Sequence, residues 1–350
     1  MFLVALSYAA FLIIGLFLVE PFYRSQTDIE SIITYGKDYM VVVCCFSFGI
    51  FTQLMFERML QATGKTVYTM FTQGVGAIIN IILDPIFIFG LFGMPKLGVT
   101  GAAVATVIGQ IVAGIAINQL KNHEVNINML GFRPSGSIIR MIYGIGVPSI
   151  VMQAIGSIMN YGMNVILISF SSTATAVFGV YFKLQSFVFM PAFGFNNGVI
   201  PVIAYNYGAG SRDRVVKTMK HSVVYIMGLL LVGLVVFQTI PEPLLRLFEA
   251  SDNMIALGVP ALRIISLSFI FAGFCIACGS AFQALGKAVY SMIVSVARQL
   301  IVLLPVAYML AQLGNVNYVW WAFPIAELMS LAMTVLFLII LNKKVISKIG

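Results

Sequence analysis

Two acidic residues lie in stretches that are otherwise apolar, and Asp84 is the clearer indication of a functional site. It follows Asn80 by four residues and precedes Pro85. This spacing places Asn80 and Asp84 on one face of a helix, and the proline removes a backbone hydrogen bond and favours a kink. An intramembrane carboxylate is costly unless it faces a cavity or a partner. We therefore predict a carboxylate that binds a proton or a cation; a structural hydrogen bond between helices is the alternative.

The second acidic residue, Glu57, directly precedes Arg58. Counting about 1.5 Å per residue from the polar turn that follows places Glu57 roughly 10 Å and Asp84 roughly 25 Å from one membrane edge. Straight helices would keep the two carboxylates apart, whereas a kink or a later turn would bring both into one cavity. We predict that Glu57 joins Asp84 and Asn80 in a coupling site, and an ion pair with Arg58 is the alternative.

The second half of the chain also carries polar residues in apolar stretches. Gln153, Asn160 and Asn164 form a stripe along one predicted helix, and Arg298 and Glu327 lie on different helices, where an interhelical ion pair is expected. We predict that a polar substrate path is lined by Gln153, Asn160, Asn164, Lys183, Arg298 and Glu327. Helix packing and charge neutralisation within the bundle are the alternatives.

The elements that would position these residues are membrane helices. The chain has 350 residues, of which 60% are hydrophobic and 9% charged, whereas soluble domains carry about 25% charged residues. Apolar runs of about 20 residues follow one another with short polar breaks, which is typical of a polytopic helical membrane protein. We predict helices at about 1–20, 38–62, 67–91, 99–120, 141–168, 176–204, 214–240, 254–284, 288–312 and 319–342.

The placement of charge indicates orientation. Ten helices put both termini on one side, where the polar breaks hold twelve basic residues and two acidic ones, against four basic and seven acidic residues on the other side. By the positive-inside rule both termini are cytoplasmic, which predicts a multi-pass protein of the inner or plasma membrane. The net charge of +8 is then explained without a nucleic-acid partner.

Signals for other kinds of site are weak. Cys275 and Cys278 have a redox spacing without a thioredoxin-like context, so we interpret them as packing residues. The two histidines, His123 and His221, are far apart and predict no metal site. No phosphate-binding GxxxxGK[ST] motif occurs, so the chain is predicted to be neither an ATPase nor another enzyme, and to need no cofactor.

The chain contains an internal repeat. QATGKTVYTM at 61–70 recurs as QALGKAVYSM at 283–292, with seven identities in ten positions at an offset of 222 residues. The same offset aligns a Glu-Pro pair and an arginine, at 20–24 and 242–246. Both copies run from the same side, so the two halves are parallel repeats related by an axis along the membrane normal.

The repeat predicts the fold: an all-α polytopic membrane protein built as a parallel two-lobe repeat of six-helix bundles. The first lobe (1–120) shows four helices, and the second lobe (141–342) shows six. A cytoplasmic linker at 121–140 joins them, and 343–350 is a basic cytoplasmic tail. We predict that the first lobe is truncated, with about two N-terminal helices lacking; a true ten-helix variant is the alternative.

Several motifs resemble those of the multidrug and toxic compound extrusion (MATE) family, in a branch of bacterial multidrug exporters. They are FERMLQATGK at 56–65, NIILDPIFIFG at 80–90, GVTGAAVATVIGQ at 98–110 and YNYGAGSRDR at 205–214. The resemblance covers essentially the whole chain and implies twelve helices in two lobes. It also implies antiport by alternating access, in which amphipathic, mostly cationic drugs are exported by a monomer in the bilayer against entering H⁺ or Na⁺.

The resemblance carries specific residues over to this chain. Asp84 and Asn80 match the cation or proton site of the family's first lobe, and Glu57 occupies a position where relatives often have Asn. The acidic residue that many members carry on their first helix has no place in this sequence. A lipid-linked saccharide flippase of the same superfamily is the alternative function, for which more basic residues would line the cavity, and an inactive transporter fragment is the other.

Overall fold

A computed structural model describes residues 2–26, 29–62, 66–119 and 135–349, and these residues are almost entirely helical, with no β-strand among them. Seven helices in the described ranges are long and apolar enough to cross a membrane, and two bent helix pairs raise that number to nine. A shorter apolar helix lies at Val99–Gly114. The prediction of an all-α, multi-pass membrane protein is therefore confirmed. The chain divides into two units, residues 1–134 and 135–350.

The first unit contains four helical spans within the described residues. The second of them begins at Glu30, eight residues before the predicted start, because the apolar run marks only the lipid-facing part of a helix whose first turns are polar and exposed. The elements are α1 (Phe2–Ile13), a π-helical segment (Ile14–Leu18), α2 (Val19–Gln26), α3 (Glu30–Cys45), α4 (Phe48–Ala62), α5 (Thr66–Phe89) and α6 (Val99–Gln119).

Helices α5 and α6 approach each other so closely that their backbones nearly touch. A Cβ atom added to Gly76 would lie 3.1 Å from the Gly109 carbonyl oxygen, and one added to Gly109 would lie 2.8 Å from the Gly76 carbonyl oxygen. Small residues permit this kind of crossing between membrane helices. Ala103 and Ala105 of α6 are fully buried nearby. The crossing fixes the polar face of α5 against α6.

The second unit contains six helical spans within the described residues. Its core is aromatic, with Trp320, Phe178 and Tyr181 almost completely buried and packed together. The elements are α7 (Gly136–Ile168), α8 (Ser172–Gly208), α9 (Arg212–Thr239), α10 (Pro241–Arg246), α11 (Asp252–Ser266), α12 (Phe269–Ala284), α13 (Ala288–Val296), a π-helical segment (Ala297–Leu303), α14 (Leu304–Ala311), α15 (Val316–Val319) and α16 (Ala322–Lys344).

The two units repeat structural details at the predicted offset. Arg24 bonds Glu20 at 3.2 Å, and Arg246 bonds Glu242, 222 residues later, at 2.8 Å. Helices α3 and α4 form one span bent by 49°, and α11 and α12 form one bent by 47°. The two breaks agree with the offset to within one residue. The internal repeat is therefore visible within the helices of each unit.

Some predicted boundaries change. Most of the predicted linker at 121–140, namely 121–134, lies outside the described residues, and α7 already begins at Gly136. The predicted basic tail begins inside α16, which continues to Lys344 because its apolar face still packs against the unit. The prediction that about two helices are lacking before residue 1 stays a prediction.

Candidate functional site

The polar face of α5 is a stripe at helical spacing. Gln73, Asn80 and Asp84 follow one another at intervals of seven and four residues, which aligns them along one side of the helix. The Asn80 Nδ2 amide lies 3.3 Å from Asp84 Oδ1 and 3.2 Å from Thr106 Oγ1 of α6. The Thr106 hydroxyl donates to the Ala102 carbonyl within its own helix at 2.9 Å. Asn80 therefore ties the Asp84 carboxylate to α6.

Glu57 is buried to 2% exposure on α4 and is held by two amides. Gln53 donates to Glu57 Oε1 at 2.8 Å, and Gln73 of α5 donates to Glu57 Oε2 at 2.7 Å. Each carboxylate oxygen thus accepts one neutral N–H donor. The alternative ion pair with Arg58 does not form, since Arg58 is exposed and donates to Gln61 Oε1 at 2.9 Å.

Both carboxylates are connected to one cleft of about 290 Å³ among α4, α5 and α6. The cleft is lined by Ile50, Gln53, Leu54, Gln73, Gly76, Ala77, Asn80, Thr106, Gly109 and Gln110. Glu57 reaches it through Gln53 and Gln73, and Asp84 reaches it through Asn80. Neither carboxylate lines the cleft itself, so their membership of one coupling site stays a prediction that these amide contacts support.

The size and polarity of the cleft indicate what it can hold. Its volume lies just below the roughly 300–1,000 Å³ of sites for drug-sized ligands, and far above the about 30 Å³ that one water occupies. None of the residues lining it is charged. Oxygen atoms from amides, hydroxyls and nearby carboxylates suit a proton, a water or a hard monovalent cation. Within the described residues, no group of three or more His, Cys, Asp or Glu side chains is placed to hold a metal ion.

The second unit contains the predicted ion pair. Arg298 Nη1, in the π-helical segment, lies 2.6 Å from Glu327 Oε1 of α16, with side chains 28% and 11% exposed. Glu327 Oε2 is buried and makes no hydrogen bond to any described residue. The pair is charge-neutral and joins two helices, which agrees with the bundle-neutralisation alternative as well as with a role in a polar path.

The other residues of the predicted substrate path are more scattered. Gln153 and Asn164 of α7 are exposed, Asn160 is half-buried, and none of the three hydrogen-bonds a described residue. Lys183 of α8 is exposed, and its Nζ lies 5.8 Å from the centre of the Phe248 ring. The structure thus joins Arg298 to Glu327 but links neither α7 nor Lys183 to this pair by a hydrogen bond.

Sequence reasoning missed four residues of the first-unit site, namely Gln53, Gln73, Thr106 and Gln110. The spacing carried a signal. Gln53 precedes Glu57 by four residues, and Gln73 lies seven residues before Asn80 on the same helical face. An amide one or two turns from an embedded carboxylate is a candidate partner, because each polar group in the bilayer needs a hydrogen bond.

Comparisons with known proteins give the family. The sequence model of the MatE family matches residues 1–86 and 148–309. The chain is 28% identical over 298 residues to the multidrug export protein MepA of Staphylococcus haemolyticus, covering 84% of this chain and 65% of that protein. It is 29% identical over 302 residues to the probable multidrug resistance protein NorM of Thermotoga maritima, covering 84% and 63%.

A solved structure agrees with both the sequence and the fold. The MATE multidrug transporter DinF-BH, solved in a complex, is 30% identical, with a TM-score of 0.86 over 97% of this chain and 76% of that one. The chain spans less than two thirds of the length of each of the two curated relatives described above. The family model covers well over half of its residues. The chain belongs to the MATE family of multi-pass membrane proteins.

Proposed function

We propose that this protein is a cation-coupled multidrug exporter, which exchanges amphipathic, mostly cationic drugs for H⁺ or Na⁺. One observation carries the proposal. Two intramembrane carboxylates, Glu57 and Asp84, are bonded by neutral amides and are connected to one cleft. Neither carboxylate forms an ion pair with a described residue. A charge left uncompensated in this way favours binding of a proton or a cation.

The coupling chemistry follows from that charge. When Asp84, assisted by Asn80 and Glu57, is ionised, it attracts a cationic drug or a coupling cation; when protonated, it loses the charge that attracts the drug. Proton entry from outside would therefore release a cationic drug on that side. Because the cleft is small for a drug, most of the drug would bind elsewhere. The carboxylates would then attract or release it through the change in their charge.

The second unit would supply part of the drug's path. The polar side chains of α7 (Gln153, Asn160 and Asn164) are free of hydrogen bonds to described residues, which leaves them open to a ligand. Lys183, Arg298 and Glu327 complete the proposed path. Transport would proceed by alternating access in a plasma or inner membrane, with both termini cytoplasmic. A proton or sodium gradient would supply the energy, with no cofactor.

Two other functions are distinguishable from this one. A lipid-linked saccharide flippase would need cations to hold a pyrophosphate, and the cleft of the first unit has none among its lining residues. An inactive transporter fragment would carry the same residues without transport. Relatives named as multidrug exporters and the neutral, carboxylate-linked cleft favour export of cations.

The test is Asp84→Asn, which keeps the shape and removes the charge. In proteoliposomes with an imposed pH or Na⁺ gradient, we expect this variant to lose gradient-driven exchange of a cationic dye while it inserts at the level of the unsubstituted chain. The matched control is Asp38→Asn, an exposed carboxylate of α3 in the same unit, which should leave exchange unchanged.

The outcomes separate the alternatives. Full exchange by Asp84→Asn would refute the assignment of the coupling site. Movement of an anionic lipid-linked sugar, without dye exchange, would favour the flippase, and no movement of either by the unsubstituted chain would favour the fragment.

A further inference from the structure

One end of the second unit carries a dense group of exposed basic residues. Eight Lys and Arg side chains lie at the ends of α9, α12 and α16, against a single acidic residue, Asp213. None of the eight forms an ion pair with a described residue. We name this set the basic end; it consists of Arg212, Arg214, Lys217, Lys220, Lys287, Lys343, Lys344 and Lys348.

A packed apolar cluster holds the helices of the basic end together. Val215 of α9, Leu285 after α12, and Leu341 and Ile346 at the end of the chain are all buried in one cluster. Ring stacking of Tyr290 of α13 on Phe337 of α16, at 4.8 Å between centroids, adds α13 to the same cluster. The basic side chains therefore project from a shared base, which keeps the charges concentrated at one end of the unit.

The opposite end of this unit has the reverse charge. Exposed Glu242, Glu249 and Asp252 lie there, and the nearby Arg246 is paired with Glu242 at 2.8 Å. The excess of positive charge is thus local to the basic end. Exposed Tyr205 at the end of α8, next to the basic end, is a side chain typical of the level of lipid headgroups.

We propose that the basic end binds the phosphate groups of anionic phospholipids at the membrane surface. The occupant is argued from charge and position: unpaired cations stand at the ends of helices that span the bilayer, at the level where lipid phosphates begin. Lipid phosphate would supply the counter-charge that these cations do not find among the described residues. This inference concerns a surface separate from the cleft and does not depend on the proposed transport function.

The test measures lipid selectivity with the purified protein. Native mass spectrometry would count phosphatidylglycerol and phosphatidylcholine molecules retained from mixed micelles. Neutralising four cations (Arg214→Gln, Lys217→Gln, Lys220→Gln and Lys344→Gln together) should weaken phosphatidylglycerol binding at least tenfold, since each cation near a membrane surface contributes about a fivefold preference. The preference should also fall as salt is added.

A control variant neutralises four exposed basic residues outside the basic end, of which Lys37 and Arg246 are ion-paired: Lys37→Gln, Lys96→Gln, Arg246→Gln and Arg263→Gln together. It should retain phosphatidylglycerol like the unsubstituted protein. Equal retention by all three proteins would refute the proposal. So would displacement of the lipid by millimolar inorganic phosphate, which would indicate a free-anion site, or tight binding of RNA or an acidic peptide without lipid selectivity. An unchanged melting temperature in phosphatidylcholine alone would show that the variant with four substitutions is folded.

Discussion

The two units treat their buried carboxylates in different ways. Glu57 accepts hydrogen bonds from two neutral amides, whereas Glu327 bonds the guanidinium of Arg298 at 2.6 Å. A hydrogen bond from an amide stabilises an anion without cancelling its charge, while an ion pair is neutral as a unit. Glu57 is thus suited to exchange a cation, and Glu327 to hold two helices together.

This difference predicts an effect on stability. Glu327→Gln leaves the half-buried Arg298 charge without its partner; this costs about 3–5 kcal/mol in fully buried pairs and less here, where Arg298 is 28% exposed. We expect a clearly lower melting temperature for the single variant, measured in detergent by thermal unfolding. Neutralising both residues (Arg298→Gln with Glu327→Gln) should recover much of the loss.

The matched control is Arg246→Gln, because its partner Glu242 is exposed and such pairs contribute little. If Glu327→Gln has the melting temperature of the unsubstituted protein but loses drug exchange, the ion pair would instead belong to the substrate path.

For single residues, the sequence indicated which residues form the site better than it indicated their hydrogen-bond partners. Asp84, Asn80 and Glu57 could be selected because embedded carboxylates are rare. Of the bonds of Glu57, the one from Gln53 had a signal in its spacing of four residues, whereas the one from Gln73 had none, because Gln73 lies on another helix. The sequence contains the spacing of these residues, but the distance between α4 and α5 depends on tertiary packing.

At the scale of helices, the two units pack corresponding pairs of helices in different ways. At the offset of 222 residues, Gly76 corresponds to Arg298 and Ala105 corresponds to Glu327. In the first unit, small residues bring the backbones of α5 and α6 together at this crossing. In the second unit, Arg298 stands at the position of Gly76 and pairs with Glu327, whereas Leu331 stands at the position of Gly109. The close crossing is what leaves the polar face of α5 beside the cleft.

Widening this crossing should destabilise the first unit. In Gly109→Ala, the new methyl group would lie 2.8 Å from the Gly76 carbonyl oxygen, so α5 and α6 must separate. Overpacking of this kind costs about 1–3 kcal/mol. We expect a melting temperature several degrees lower and weaker gradient-driven exchange, because Asn80 would lose its contact with Thr106.

The control lies on α5 itself, where an added Cβ at Gly74 meets nothing within 4 Å. Gly74→Ala should be neutral or slightly stabilising, since alanine favours helix over glycine by about 0.5–1 kcal/mol. Equal effects of the two substitutions would contradict the role assigned to the crossing.

Helix existence was predictable here, and helix shape was not. All ten predicted helices have a counterpart in the described residues. The bends after Cys45 and Ser266 contain neither proline nor glycine, so the usual signals of a break were missing. Both breaks contain a serine. The Ser268 hydroxyl donates to the Ile265 carbonyl at 2.6 Å, whereas the Ser47 hydroxyl makes no hydrogen bond to a described residue. Such back-bonding bends helices, but many serines in helices do it without a break.

At the scale of the whole molecule, the charge asymmetry predicts one orientation. Ala209, beside the basic end, should face the cytoplasm, and Asn253, in the first turn of α11, should face outward. We expect a membrane-impermeant maleimide to label Asn253→Cys in intact cells and Ala209→Cys only after permeabilisation. The unsubstituted chain, with four largely buried cysteines, measures the background. The reverse labelling pattern would overturn the predicted topology.

The amides around Glu57 and Asp84 have one further consequence. A primary amide carries a donor on one side and an acceptor on the other, and a half-turn about its last torsion exchanges them. Gln53 and Gln73 can therefore donate to an ionised Glu57 and accept from a protonated one, with no movement of the backbone. Such side-chain rotations take nanoseconds or less, while collective helix motions take microseconds or longer. If the site loads a proton as proposed, the amides could adapt to the new charge before the helices move.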